Sequence, residues 1–147
     1  TIADLIHDKG RYHMKLYDLC KLCESVARLN KLSLSFPNAR RVRDLYKKLQ
    51  YDVEFYCQEE EKVICSFISA GNARREGSKL IFDQLPEKKD NQQMMRKYIE
   101  KIDALNKLEV DVPFDGLITI STDEIGVQKI SGDDIERLSS FVVFGDG

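Results

Sequence analysis

Pro37 and Gly71 enclose 33 consecutive residues that contain neither Gly nor Pro, and no other feature restricts the chain as much. Without Gly or Pro, this stretch is either one long helix or two strands joined with little help from turn chemistry. Read with period two, Tyr51, Val53, Phe55 and Cys57 alternate with Asp52, Glu54, Tyr56 and Gln58; Glu59 to Lys62 then turns into a strand from Val63 to Ser69. Read with period 3.6, Leu49, Val53, Tyr56, Val63 and Phe67 form a stripe with a gap at Glu60, and Gly71-Asn72 closes a helix running from Ala39 to Ala70. Residues 51–69 are therefore helix or hairpin. The helix is preferred, because a Glu-rich connection is a poor hairpin turn and a good helix interior.

The flanking segments have clearer periods. From Arg11 to Leu34, the residues Tyr12, Leu16, Leu19, Cys20, Cys23, Val26, Ala27 and Leu29 recur at spacings of three and four, which predicts an amphipathic helix. Ser35-Phe36-Pro37-Asn38 breaks it: Pro37 biases Phe36 away from helical geometry, and Asn38 is a good N-cap for a helix starting at Ala39. That second helix buries Val42, Leu45, Tyr46 and Leu49. After Gly71, Asn72 to Glu76 reads as another N-cap, Gly77-Ser78 weakens any helix there, Lys79 to Phe82 is a short apolar run, and Pro86 closes it. Asp90 or Asn91 caps a helix from Asn91 to Leu108, with Met94, Met95, Tyr98, Ile99, Ile102, Leu105 and Leu108 on its buried side.

Beyond the joint Val112-Pro113-Phe114 the pattern changes. Leu117 to Ser121 and Val127 to Ile130 read as a hairpin about a polar turn, Ser131 to Leu138 as a short capped helix, and Phe141 to Phe144 as a last strand. The expected fold is α+β: a helical N-terminal two-thirds, about residues 11–108, followed by a small antiparallel ββαβ unit, about residues 115–144. A length of 147 residues with 42% hydrophobic content suits one core, so residues 1–147 are read as a single domain.

Asn38-Ala39-Arg40-Arg41 recurs 34 residues later as Asn72-Ala73-Arg74-Arg75, and Leu45 to Leu49 is loosely matched by Ile81 to Leu85. That period is the one found in tetratricopeptide-type helical hairpins, but their Trp, Gly, Ala and Tyr pattern is missing and two copies do not make a stable array. Coincidence is the preferred reading. A true repeat would place an Arg-Arg pair at the start of two successive helices, where cations oppose the helix dipole and need compensation.

Charge runs along the chain as a gradient. Residues 1–49 carry 11 Lys and Arg against 5 Asp and Glu, a net +6, while residues 109–147 carry 2 against 9, a net −7. A formal charge of −2 hides this polarity, which points to a partner or to an internal docking face. No apolar run approaches the roughly 20 residues that span a bilayer, so no membrane association is expected, and Thr1 to Gly10 contains acids and no apolar signal core. Opening on Thr1 without Met, the chain is read as an excised or processed piece of something longer. Cys20, Cys23, Cys57 and Cys65 are expected to be reduced thiols in an intracellular protein, cytoplasmic or nuclear, since a core of this size needs no disulfide staples.

Three patterns carry candidate chemistry. Cys20-Lys21-Leu22-Cys23 has zinc-ligand spacing and His13 lies seven residues earlier, so all three can face one way on a helix, with a fourth ligand from Cys57, Cys65 or His7; core packing of the same cysteines is preferred. Glu60-Glu61-Lys62 with Asp52 upstream is faintly like the carboxylate and lysine set of metal-dependent nucleases, provided the segment is β. Arg40, Arg41, Arg43, Lys47, Lys48, Arg74 and Arg75 form the candidate surface for nucleic acid or an acidic partner. No Gly-rich phosphate loop, Gly-x-Ser-x-Gly or His-Glu-x-x-His is present, which lowers the expectation of an enzyme, and no cofactor or metal is expected. The preferred function is a non-catalytic interaction or regulatory module with a protein partner. Nucleic-acid binding is the alternative, and a metal-dependent nuclease stands well behind.

Overall fold

A computed structural model describes residues 11–82 and 88–145. Its elements are β1 (Arg11–Lys15), α1 (Leu16–Asn30), α2 (Phe36–Ser69), β2 (Arg74–Glu76), β3 (Lys79–Ile81), α3 (Lys88–Asn106), β4 (Glu109–Pro113), β5 (Ile118–Ile120), α4 (Thr122–Ile125), α5 (Gly132–Leu138) and β6 (Val142–Phe144). The class is α+β.

The break-free stretch is one helix. α2 is 34 residues long, about 51 Å at 1.5 Å per residue. Val42, Leu45 and Leu49 are buried in its first half and Phe67 near its end, on one side of the helix. It begins three residues before Ala39. Ser35, not Asn38, is the N-cap residue, and Pro37 sits in the first turn, where its missing N–H costs nothing.

The helix expected from Arg11 starts instead at Leu16. Tyr12 and Met14 are half-buried while His13 and Lys15 are exposed, a period of two, and β1 pairs antiparallel with β4 so that Tyr12 lies opposite Val112 and Met14 opposite Val110. Pairing with a strand nearly a hundred residues away overrides the local helical spacing. α1 then buries Leu16, Leu19, Cys23, Val26 and Leu29 as the spacing predicts, leaves Cys20 and Ala27 half-buried, adds Leu22 to the buried side, and ends at Asn30.

Two further segments differ from expectation. Asn72 to Glu76 does not start a helix: β2 and β3 form an antiparallel hairpin about Gly77, whose φ of 64° suits the turn. The Asn-Ala-Arg-Arg echo therefore falls once inside a helix and once at the entry to a strand, and marks no structural repeat. The looser match at Asp83 to Leu85, like Pro86, lies outside the described residues. α3 begins at Lys88, ahead of the expected caps Asp90 and Asn91, and only Met94, Tyr98, Ile102 and Leu105 are half-buried, while Met95, Ile99 and Leu108 are exposed. The distal ends of α2 and α3 meet through the rings of Phe67, Phe82 and Tyr98, whose centroids lie 5.6 to 6.0 Å apart.

The C-terminal unit is βααβ with a parallel strand pair, not an antiparallel ββαβ. Ser121 and Ser131 each accept a hydrogen bond from the backbone N–H three residues on, starting α4 and α5. Val127 to Ile130 is the connection between them, with Val127 98% exposed. A helical crossover returns the chain in the same direction, so β6 pairs parallel with β5. One buried cluster joins Leu19, Val26, Val42, Leu45 and Leu49 of α1 and α2 to Val112, Ile118, Ile120, Leu138 and Phe141.

Candidate interaction surface

The basic residues picked out by sequence do not form one patch. Residues on α2 advance about 100° each, so Phe36, Arg40, Arg43, Lys47 and Tyr51 fall within an arc of about 80°, opposite Val42, Leu45 and Leu49. All five are exposed, Phe36 at 90% and Tyr51 at 76%, and Phe55 continues the line. Arg40, Arg43 and Lys47 make no ion pair with a described residue and stand free on this outer row, which Asp44 and Glu54 share.

Arg41 and Lys48 lie on a flank of the same helix and are used internally. The Arg41 guanidinium donates to the backbone oxygens of Leu117 and Asp115, both at 2.8 Å, and Lys48 Nζ to that of Pro113 at 2.7 Å. Both cations also lie over the face of buried Phe114, at 5.3 and 5.9 Å from its centre. They clamp the β4–β5 connection onto α2. Arg74 and Arg75 belong to the hairpin beside the C-terminal part of α2: Arg75 pairs with Glu61, which lies 21 residues and so roughly 32 Å along the axis from Arg40, and Arg74 pairs with Glu76 at 3.1 Å.

The compensation that cations near a helix start require comes from another part of the chain. α2 has no acidic residue in its first turn and no side-chain cap of its own. Glu124 of α4 supplies the charge: it accepts the N–H of Ser35 and, at 2.9 Å, the amide of Asn38, which also donates to the Thr119 carbonyl. Hydrogen bonds from Ser35 first, and then from Asn38, hold the Glu124 carboxyl below the usual carboxylate range. Gln128 ties down the same corner by accepting from Ser33 N–H at 2.6 Å and donating to Ser33 O at 2.9 Å.

A second carboxylate locks α5 to α1. Asp134, 4% exposed, accepts two bonds from Arg28, at 2.7 and 2.6 Å, and one at 2.7 Å from the hydroxyl of fully buried Ser25. The Arg28 bonds, helped by Ser25, bring its pKa down to about 2. The sequence shows Ser131 to Leu138 as a short capped helix, but carries no local signal for these partners, which are more than 100 residues away. Sequence reasoning used Phe36 only as a helix breaker and left Tyr51 between two readings, so the outer row went unseen; its signal was the polar counterpart of the buried stripe.

The remaining candidates separate. His13 lies on β1 and bonds Asp111, so it does not share a helix with Cys20 and Cys23. Burial pushes the Cys20 thiol up to about 11, with Cys57 and Cys23 adding to it, and raises Cys23 as well. Among the described residues no group of three His, Cys, Asp or Glu side chains is placed to hold a metal. Asp52 and Glu60-Glu61-Lys62 lie on α2, where Glu61 pairs with Arg75 and Lys62 with Glu59 at 2.7 Å, so the strand that the nuclease reading requires is not there. No buried side-chain nitrogen or oxygen among the described residues lacks a partner, and no described helix is long and apolar enough to cross a membrane.

Comparison of the chain with family models, with curated proteins and with solved structures found no match.

Proposed function

We propose that this protein is a non-catalytic docking module that engages another protein through the outer face of α2. The carrying observation is the row Arg40, Arg43, Lys47 and Tyr51, exposed on a rigid helix whose other cations are already engaged. Arg and aromatic side chains are the residue types that dominate protein interfaces. Mounting them on a helix packed into the core keeps their spacing fixed, which lowers the ordering cost of binding. Asp44 and Glu54 along the same row, with a formal charge of −2 for the whole chain, favour a protein partner over a phosphate backbone, which would be repelled at those two points. Four free thiols support an intracellular setting, cytoplasmic or nuclear.

The test is affinity capture from cell extract with the wild-type chain and with Arg43→Glu/Lys47→Glu/Tyr51→Ala, each with and without nuclease. A protein retained by the wild type after nuclease, and lost with the triple variant, is the expected result. Capture that nuclease abolishes establishes the nucleic-acid alternative instead, and capture that the variant leaves intact removes the α2 face from the function.

A further inference from the structure

We infer that the chain forms a two-fold dimer in which Phe36 of each copy seats in the apolar groove between α4 and α5 of the other. That groove has a volume of about 230 Å³ and is lined by Ile120, Ile125, Ile130, Ile135 and Phe144. Apolar cavities of about 150 Å³ accept a benzene ring, so it has room for a phenyl side chain. Phe36 is the matching knob. It is the first residue of α2 and is 90% exposed, so nearly its whole side chain is available to be buried by a second copy.

Knob and groove belong to the same corner of the molecule. Ser35 and Asn38, on either side of Phe36, are bonded to Glu124 of α4, and Ser33 is bonded to Gln128. A patch that carries both a projection and its receptor is self-complementary, which is what a two-fold axis requires and what makes the contact close at two copies. Charge follows the same division. Arg40 lies one turn beyond Phe36, while Asp123, next in the chain to Thr122 of the groove, and Asp133, two residues before Ile135, are both exposed. The basic half of one patch therefore meets the acidic half of the other, and exposed Val127 and Ile135 extend the apolar contact at the rim. A second copy supplies every element this corner lacks. The dimer shares Arg40 with the docking row but does not depend on Arg43, Lys47 or Tyr51, the three positions that the capture variant changes, so failure of one reading is distinguishable from failure of the other.

Sedimentation equilibrium of the full chain tests this. The mass should rise from 17.0 kDa toward twice that value as concentration approaches about 100 μM. Phe36→Asp, at an exposed position with no packing to lose, should weaken the dimer at least about tenfold while leaving the circular dichroism unchanged. Arg40→Glu should weaken it too, and adding Asp123→Lys should recover it. A chain that remains at 17.0 kDa up to about 1 mM, or a dimer that Phe36→Asp leaves intact, overturns the inference. In either case, row-dependent capture of a foreign protein would leave the docking reading in place.

Discussion

Replacing Asp134 by Asn should cost about 2 kcal/mol of stability at neutral pH, and the cost should fade in acid. Asp134 is almost fully buried, and its pKa drops from 3.8 to about 2 in the folded chain. Nearly two units at about 1.4 kcal/mol each give the ionic contribution, taken at the lower end because half of the Arg28 side chain is in water. A folded pKa below the unfolded one means the contribution is complete above about pH 4 and disappears as pH falls through about 2. By pH 3 it should be roughly half its neutral value. Asn keeps an acceptor for the Ser25 hydroxyl but turns an amide toward Arg28, so it removes the charge pairing with little change of volume. Ala should cost more, about 3 kcal/mol, because it also leaves the buried Ser25 hydroxyl without an acceptor. Urea unfolding at pH 6.5 and at pH 3 would measure both, with an unchanged slope showing that the unfolded state is not what moved. An Asn variant within about 0.5 kcal/mol of the wild type at pH 6.5, or a deficit that does not shrink by pH 3, would refute the argument.

Glu124→Gln should loosen the start of α2 by about 1 kcal/mol, seen as faster amide exchange of residues 35–39 while residues 42–49 remain protected. Arg41→Ala should release two backbone oxygens and one cation from the β4–β5 connection, so proteolysis should begin within residues 113–118 without a change in helix content. Alkylation at pH 7.5 should reach exposed Cys57 and Cys65 first and Cys20 and Cys23 last, because burial keeps the latter pair protonated; equal rates at all four would show that α1 and α2 are not packed as described.

What could be read from sequence was what short-range physics decides. α2 was legible because nothing between Pro37 and Gly71 could stop a helix, and the stripe of α1 because its spacing repeats over four turns. β1 was not, since Tyr12 shares the helical spacing of Leu16 and Leu19, and only pairing with Val112, beside Met14 with Val110, makes the segment a strand. The parallel joining of β5 and β6 was hidden for a similar reason: Val127 to Ile130 has strand composition, and only the two capped helices around it show that it is a connection. At the candidate surface the residue types were legible and their directions were not. Arg40 and Arg41 are neighbours in sequence, but one faces solvent and the other Phe114, and only the register of α2 against the core distinguishes them.

The charge gradient has two components that respond differently to salt. Where the basic N-terminal part meets the acidic C-terminal part, Asp134 is consumed on Arg28, Glu124 on the start of α2, and Arg41 and Lys48 on backbone oxygens around Phe114. Asp134 itself is buried and its contacts with Arg28 and Ser25 are short, so ions screening over about 8 Å at physiological strength weaken them less than they weaken a fully exposed pair. The charges left over, Arg40, Arg43 and Lys47 on one side and Asp123, Asp133 and Glu136 on the other, are all exposed and open to screening. Folding stability should therefore change little between low and moderate salt, whereas any association through the α2 face or the α4 corner should weaken over the same range. Each polar contact inside the fold also removes a charge that would otherwise compete for a partner, so the internal docking of the two ends is what narrows the outer face of α2 to a single row.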